Sequence, residues 1–499
     1  MKYLVTGALV VLCFFTSGLT ASERKIDIDS AQTSEHQVNI LGTKIKYKAT
    51  IGTQPVWDKQ GNAIASLHYT YYQKKGVKQL DKRPLLISFN GGPGSASVWM
   101  HLAYTGPKIL KIDDEGYPVQ PYGIKDNPFS VLDVADIVYV NPVNTGYSRI
   151  LENEKGVLPS QDKQKELFFG VNADIKYLAE WINTFVTRNN RWLSPKFLIG
   201  ESYGTTRVSG LALELQNRQW MYLNGVILVS PTEIGIKREG PVEAANRIPY
   251  FAATAWYHNK LDSNYQSMPL TTFLAEVEEF TINKAIPAIS KGGFIDTNEK
   301  QQIAAKIAKY TALSDTFVYR NNLDVPNSAF WKELLREEGF TVGRLDSRYK
   351  GIDKRDAGSR PDYWAELTSW LHSFTPAINY YLQQELGYKT DLKYNMFGSV
   401  HPWDRSNNNT GENLRQAMAQ NPYLNVMIQS GYFDGATNYF DAKYTMWQLD
   451  PSGKMKQRLS FKGYESGHMM YLRRADLETS NQDVRDFILN ALPKGSAKY

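Results

Sequence analysis

Apolar and polar positions alternate in the stretches HQVNILGTKIKYKATI and AIASLHYTYYQ, within residues 36–75 and on either side of a turn at 58–62. A period of two predicts strands with one face buried, so the chain opens with a β-rich segment. The pattern then changes. Short apolar runs at 84–89, 137–140, 196–199, 225–229, 424–428 and 458–461 alternate with stretches of helical spacing. Ile175, Leu178, Ile182 and Phe185 recur at that spacing, as do Val208, Leu211, Ala212 and Leu215. Strand–helix alternation predicts an α/β fold, a mostly parallel central sheet covered on both faces. One stretch breaks the rhythm. Residues 236–375 are aromatic-rich and helix-like, with segments such as YFAATAWYHNKL and SAFWKELLREEGF, and the sheet pattern resumes only afterwards. This predicts an inserted, mainly helical cap at 236–375 between two parts of one core, 22–235 and 376–499.

Composition narrows the class. With 499 residues, 42% hydrophobic and 22% charged, the chain is an ordinary globular one. The net charge of +6 is spread thinly, and no basic block or aromatic-interleaved basic stretch supports nucleic-acid binding. The lone Cys13 excludes an intrachain disulfide, a cysteine zinc site and an iron–sulfur cluster within this chain. Residues 1–21 combine a basic start, the apolar run YLVTGALVVLCFF and a small, polar end. That is the layout of a secretory signal peptide, cleaved after Ala21, which would leave no cysteine and no membrane span in an exported or periplasmic product. The alternative is an anchor, but the run falls short of the roughly 20 residues a span needs.

The sharpest chemical signal is Gly200-Glu201-Ser202-Tyr203-Gly204, between the run at 196–199 and a helical pattern. A serine at a strand-to-helix turn is exposed in strained geometry, with a helix N-terminus facing developing negative charge. A hydroxyl nucleophile needs a base, and the base an orienting acid. His468 follows the last run in a loop near the C-terminus, and Asp434 follows the run at 424–428; Asp441 is the alternative acid. The order Ser202, Asp434, His468 is that of α/β-hydrolases. The turn Asn90-Gly91-Gly92-Pro93-Gly94 ends an early strand. Its Gly92 N–H, with that of Tyr203, would serve as an oxyanion hole. A phosphate loop is excluded there, because no Gly-Lys-Ser/Thr follows and Pro93 removes one N–H. Asn90 and Glu201 leave two readings open. Either they are a turn residue and a solvated acid, or a protonated Glu201 and the Asn90 amide bind a substrate carboxylate. The chemistry calls for no cofactor and no metal.

With these motifs the sequence resembles the serine carboxypeptidases, the S10 peptidase family. The resemblance rests on residues 90–94, 200–204, 431–438 and Gly467-His468-Met469, with a weaker match at Thr145-Gly146-Tyr147-Ser148. It implies an α/β-hydrolase fold with a cap, and removal of C-terminal residues from peptides with a free carboxylate. It implies that Ser202, Asp434 and His468 are catalytic and that Gly92 and Tyr203 form the oxyanion hole. It further implies that Asn90 and Glu201 bind the carboxylate and that Met469 lines the leaving-group pocket. The sequence also departs from the family. Ser88 replaces a usual Trp, and Ser95 a Cys of eukaryotic members. Tyr104-Thr105-Gly106-Pro107 lacks the usual second acid, and Met470-Tyr471 replaces Val-Pro. With the leader, these features resemble a bacterial-type branch. An esterase or acyltransferase on the same triad, and a non-catalytic secreted binding protein, are the competing functions.

Overall fold

The computed structural model describes residues 24–406 and 408–492; the leader expected at 1–21 lies outside them. Three long strands open the chain: β1 (Ser30–Ile40), β2 (Thr43–Trp57) and β3 (Ala63–Lys74). Six shorter ones follow: β4 (Leu85–Phe89), β5 (Asp136–Val140), β6 (Lys196–Glu201), β7 (Gly225–Val229), β8 (Asn425–Gly431) and β9 (Leu459–Tyr464). They lie side by side as β1-β2-β3-β5-β4-β6-β7-β8-β9 in a ten-stranded sheet, the tenth strand being Arg149–Ile150 beside β3. The pairs β1–β2, β2–β3 and β3–β5 are antiparallel, and every pair from β5 to β9 is parallel.

Parallel strands are buried on both faces, and side chains alternate between them. Leu86, Ile137, Phe197 and Ile199 join one hydrophobic cluster, while Leu85, Ile87, Val138 and Leu198 join the other. Helices α1 (Val171–Arg188) and α2 (Tyr203–Arg218) cover the second face. Helix α3 (Arg474–Ala491) covers the first through Leu477, Val484 and Ile488.

Between β7 and β8 the chain builds a third cluster that runs from Ala245 to Val342 and takes in Phe433, Tyr439 and Phe440 from the loop and helix after β8. Phe251 stacks on Phe330 at 4.0 Å within it. The expected end of the insertion at residue 375 falls inside the helix Ala365–Tyr380, whose Trp370, Phe374 and Ile378 pack into the sheet's first cluster. Phe374 packs on Trp99, and Trp370 Nε1 donates to Tyr349 OH of the insertion at 3.0 Å, partners that the helix's own periodicity does not specify. Among the described residues, no helix is long and apolar enough to cross a membrane.

Candidate active site

The strands from β5 to β9 run parallel, so their C-terminal ends share one edge, where ligands bind in open α/β sheets. Asn90 follows β4, Ser202 follows β6, Asp434 follows β8 and His468 follows β9. All four line one cavity of about 530 Å³ or adjoin a residue that does.

Ser202 caps helix α2 with φ 57° and ψ −126°, a region that non-glycine residues occupy only at a cost of roughly 1–3 kcal/mol. Its N–H donates to Val229 O at 2.9 Å, and its own carbonyl accepts from Thr205 N at 2.9 Å. The turn is tight because its glycines touch backbone. A Cβ on Gly200 would lie 2.2 Å from Gly204 O, and one on Gly204 would lie 2.8 Å from Phe89 O.

His468 Nδ1 lies 2.6 Å from Asp434 Oδ2. Asp434 is fully buried, and its oxygens also accept from Ala436 N, Thr437 N and Thr437 Oγ1 at 2.8, 3.1 and 2.7 Å. The insertion braces the pair: His468 N donates to Leu345 O, and Gly435 N to Arg344 O. Burial disfavours the imidazolium, but Asp434's charge and hydrogen bond, with the charge of Glu201, outweigh it and hold the His468 pKa above its ordinary value. Ser202 Oγ makes no hydrogen bond among the described residues, although Ser202 and His468 face the same cavity. In substrate-free sites this contact often tightens only on binding.

Asp441 sits elsewhere. It accepts from Asn246 Nδ2 at 2.9 Å and Asn438 Nδ2 at 2.5 Å, with Arg238 3.7 Å away, and so ties the helix Tyr439–Leu449 to the insertion. Three other histidines make structural contacts: buried His68 beside Asn141, buried His101 on Tyr72 and half-buried His258 on the carbonyl of Ser347.

The glycine-rich turn lies against the nucleophile. A Cβ on Gly91 would fall 2.5 Å from Tyr203 N. Gly92 has φ +106°, which favours glycine. The N–H groups of Gly92 and Tyr203 find no acceptor among the described residues. The turn is held from behind: Gly398 N donates to Gly94 O at 2.7 Å, and Ala96 N to Met396 O at 3.0 Å. The weaker motif at 145–148 anchors that segment, since Gly146 N donates to Asn395 O at 2.8 Å.

Asn90 and Glu201 meet. Asn90 Nδ2 donates to Glu201 Oε2 at 2.6 Å, and Asn90 Oδ1 accepts from Met100 N at 3.1 Å, which assigns the amide. Glu201 is 3% exposed, so it is not a solvated acid. Burial pushes its pKa up to about 7; the charge of His468 and the donors Tyr471 and Asn90 pull the other way. Met469 is buried at the cavity wall.

Several residues at the site were not read from the sequence as functional. Tyr471, noted only as a departure from the family pattern, donates to Glu201 Oε2 at 2.6 Å. Thr437 holds Asp434, and Arg344 brings a positive charge to the cavity from the insertion. Thr437 and Tyr471 lie three residues past Asp434 and His468, and Arg344 comes from the insertion; no local pattern says what any of the three touches.

Fold and strand-end geometry together define an α/β-hydrolase. The chain belongs to the serine carboxypeptidase family, whose profile matches residues 56–476. Serine carboxypeptidase-like 13 of Arabidopsis thaliana is 25% identical over 296 residues, and serine carboxypeptidase-like 16 of the same plant is 27% identical over 210. The matches cover 56% and 40% of this chain, and the chain spans 62% and 43% of the length of those two relatives. The crystal structure of Kex1(delta)p from Saccharomyces cerevisiae, described as a prohormone-processing carboxypeptidase, has a similar fold. Its TM-score is 0.51 at 15% identity, covering 89% of this chain and 91% of that one.

Proposed function

We propose that this protein is an exported serine carboxypeptidase, removing C-terminal residues from peptides through an acyl-enzyme on Ser202. The observation that carries the reading is the buried Glu201 carboxyl. It lies beside the nucleophile, with Oε2 engaged by two donors and Oε1 without a hydrogen bond among the described residues. A buried acid at this place repels an oxyanion if ionised. Protonated, it donates to a carboxylate on the substrate.

The steps follow from the groups present. Ser202 Oγ attacks the last peptide carbonyl and passes its proton to His468, whose Nδ1–H is held by Asp434. The N–H groups of Gly92 and Tyr203 take the oxyanion. His468 then protonates the departing amino acid, and water resolves the acyl-enzyme by the reverse sequence. Asn90 and protonated Glu201 hold the leaving residue's carboxylate, and Met469 contacts its side.

Export is proposed from the leader at 1–21. The leader, with the lack of a disulfide and the departures at Ser95 and Met470-Tyr471, also underlies the bacterial-type reading, for which the plant relatives give no support.

The test is to incubate the protein with N-blocked dipeptides, each as free acid and as C-terminal amide, and to follow products by mass spectrometry. Cleavage of free acids alone is expected. Equal cleavage of both forms would transfer the protein to the esterase and acyltransferase reading. No turnover of any substrate would leave the binding-protein reading.

A further inference from the structure

The carboxyl proposed to read the substrate has a partner that the steps above leave unused. Tyr471 OH and Asn90 Nδ2 both donate to Glu201 Oε2, each at 2.6 Å. We propose that Tyr471 is a positioning residue that decides which oxygen of Glu201 carries the proton, and so aims that O–H at the substrate's C-terminal carboxylate. This inference rests on the carboxypeptidase reading.

A carboxyl oxygen that accepts two hydrogen bonds has both in-plane lone pairs engaged. A proton on Oε2 would have to displace one donor, so the neutral acid carries it on Oε1. With Asn90 alone, either oxygen would serve.

Tyr471 is built to stay in place. It is fully buried, and its ring stacks on Tyr104 with centroids 4.6 Å apart and planes at 12°. Tyr104 is held in turn by its hydroxyl, which donates to Gln429 Oε1 at 2.7 Å, and Gln429 Nε2 donates to Tyr464 OH at 2.8 Å. Burial and the neighbouring carboxyl push the Tyr471 pKa well up, so the phenol remains a donor at any working pH.

Tyr104 stands where the family resemblance places a second acid. The ionisable groups around Glu201 are therefore His468 and Asp434 on one side, and the two phenols Tyr471 and Tyr104 on the other. Two facing acids share a titrating proton, and a phenol in place of the second acid shares none. The alkaline limb of activity on free-acid peptides then belongs to Glu201, coupled to His468, and not to a pair of facing acids.

The experiment uses Tyr471→Phe in the full chain, which keeps the ring and its stack and removes one O–H. Two readouts are taken. The first is the carboxyl titration of Glu201 in the free protein by infrared difference spectroscopy, with the band assigned by Glu201→Gln. Losing a donor that favours the ionised form should raise that titration by about one pH unit, the scale of one hydrogen bond to a charged group. The second is steady-state kinetics on matched peptides. At the pH optimum, KM for free acids should rise about tenfold with kcat little changed, and esters lacking the carboxylate should be unaffected. An unmoved Glu201 titration, or equal losses on both substrate kinds, would overturn the proposal. Wild-type protein that cleaves no free-acid peptide would instead overturn the carboxypeptidase reading, and the infrared titration would then decide alone whether Tyr471 governs the Glu201 proton.

Discussion

Arg207 Nη1 donates to the carbonyl of Asn90 at 2.6 Å. The same fully buried guanidinium donates to Pro93 O at 3.2 Å and pairs with buried Asp174 at 2.7 Å. A residue one turn into the helix behind the nucleophile thus holds the turn that carries the proposed oxyanion donor.

Arg207→Ala should leave Asp174 buried without its cation and free the turn at Asn90 and Pro93. Breaking a buried pair in this way costs about 3–5 kcal/mol. A denaturant titration should show that loss. Arg207→Lys should recover part of the stability, because one ammonium cannot span three acceptors. Equal stability of wild type and Arg207→Ala would refute the brace.

The triad assignment makes a paired prediction. Ser202→Ala should lower turnover by several orders of magnitude in a folded protein that still binds product. Asp434→Asn should also damage turnover severely, since it disturbs the orientation and tautomer of His468. Asp441→Asn should leave turnover close to normal and lower stability, because Asp441 contacts Asn246 and Asn438 rather than His468. A reversed pattern in the two aspartate variants would show that the wrong acid had been chosen.

The pH profile follows from two groups. His468 must be neutral to act as base, and its pKa is held above the ordinary value, so the acid limb lies above that value too. Glu201 must hold its proton to bind a carboxylate. Its pKa is pushed up to about 7 in the free protein, and a substrate carboxylate raises it further. Activity on free-acid peptides should be a bell, rising as pH passes the histidine and falling as pH passes the glutamate. Glu201→Gln should flatten the alkaline limb. On a matched ester, which does not need the Glu201 proton, it should move the acid limb to lower pH, because the charge of Glu201 helps to keep His468 protonated. Initial rates across pH for a free-acid peptide and a matched ester check both directions; an unchanged acid limb in the variant would break the proposed coupling.

Removing both carboxylate donors tests specificity. Asn90→Ala with Glu201→Ala should weaken free-acid substrates by roughly 3–6 kcal/mol, about 1.5–3 kcal/mol for each of two hydrogen bonds to a charged group. Esters lacking the carboxylate should be barely touched. Competition between the two substrate kinds in one reaction reads the difference directly, and equal losses would make these residues builders of the turn.

Compartment is checked by expressing the chain with its own leader in a bacterium. The product should be recovered from the periplasm or medium with Ser22 near its N-terminus. An intact Met1 in the membrane fraction would mean an anchor.

The sequence by itself determined the sheet and the strand-end positions of Asn90, Ser202, Asp434 and His468. Its periods are local, and a short apolar run bounded by a glycine turn has few ways to fold other than as a buried strand. The family resemblance, carried by the same motifs, added the expectation that Asn90 and Glu201 work together. Tertiary structure alone decided what those residues touch. Tyr471 reaches Glu201 across 270 positions, and Gln429 reaches Tyr104 across 325. It also decided that the helix Ala365–Tyr380 joins the hydrophobic cluster on the sheet's first face while Trp370 bonds Tyr349 of the insertion. Periodicity reports that a face is apolar, and a motif reports that a turn is tight. Neither says which distant face or side chain comes to meet it, because that pairing is set only when the whole chain buries its surface at once.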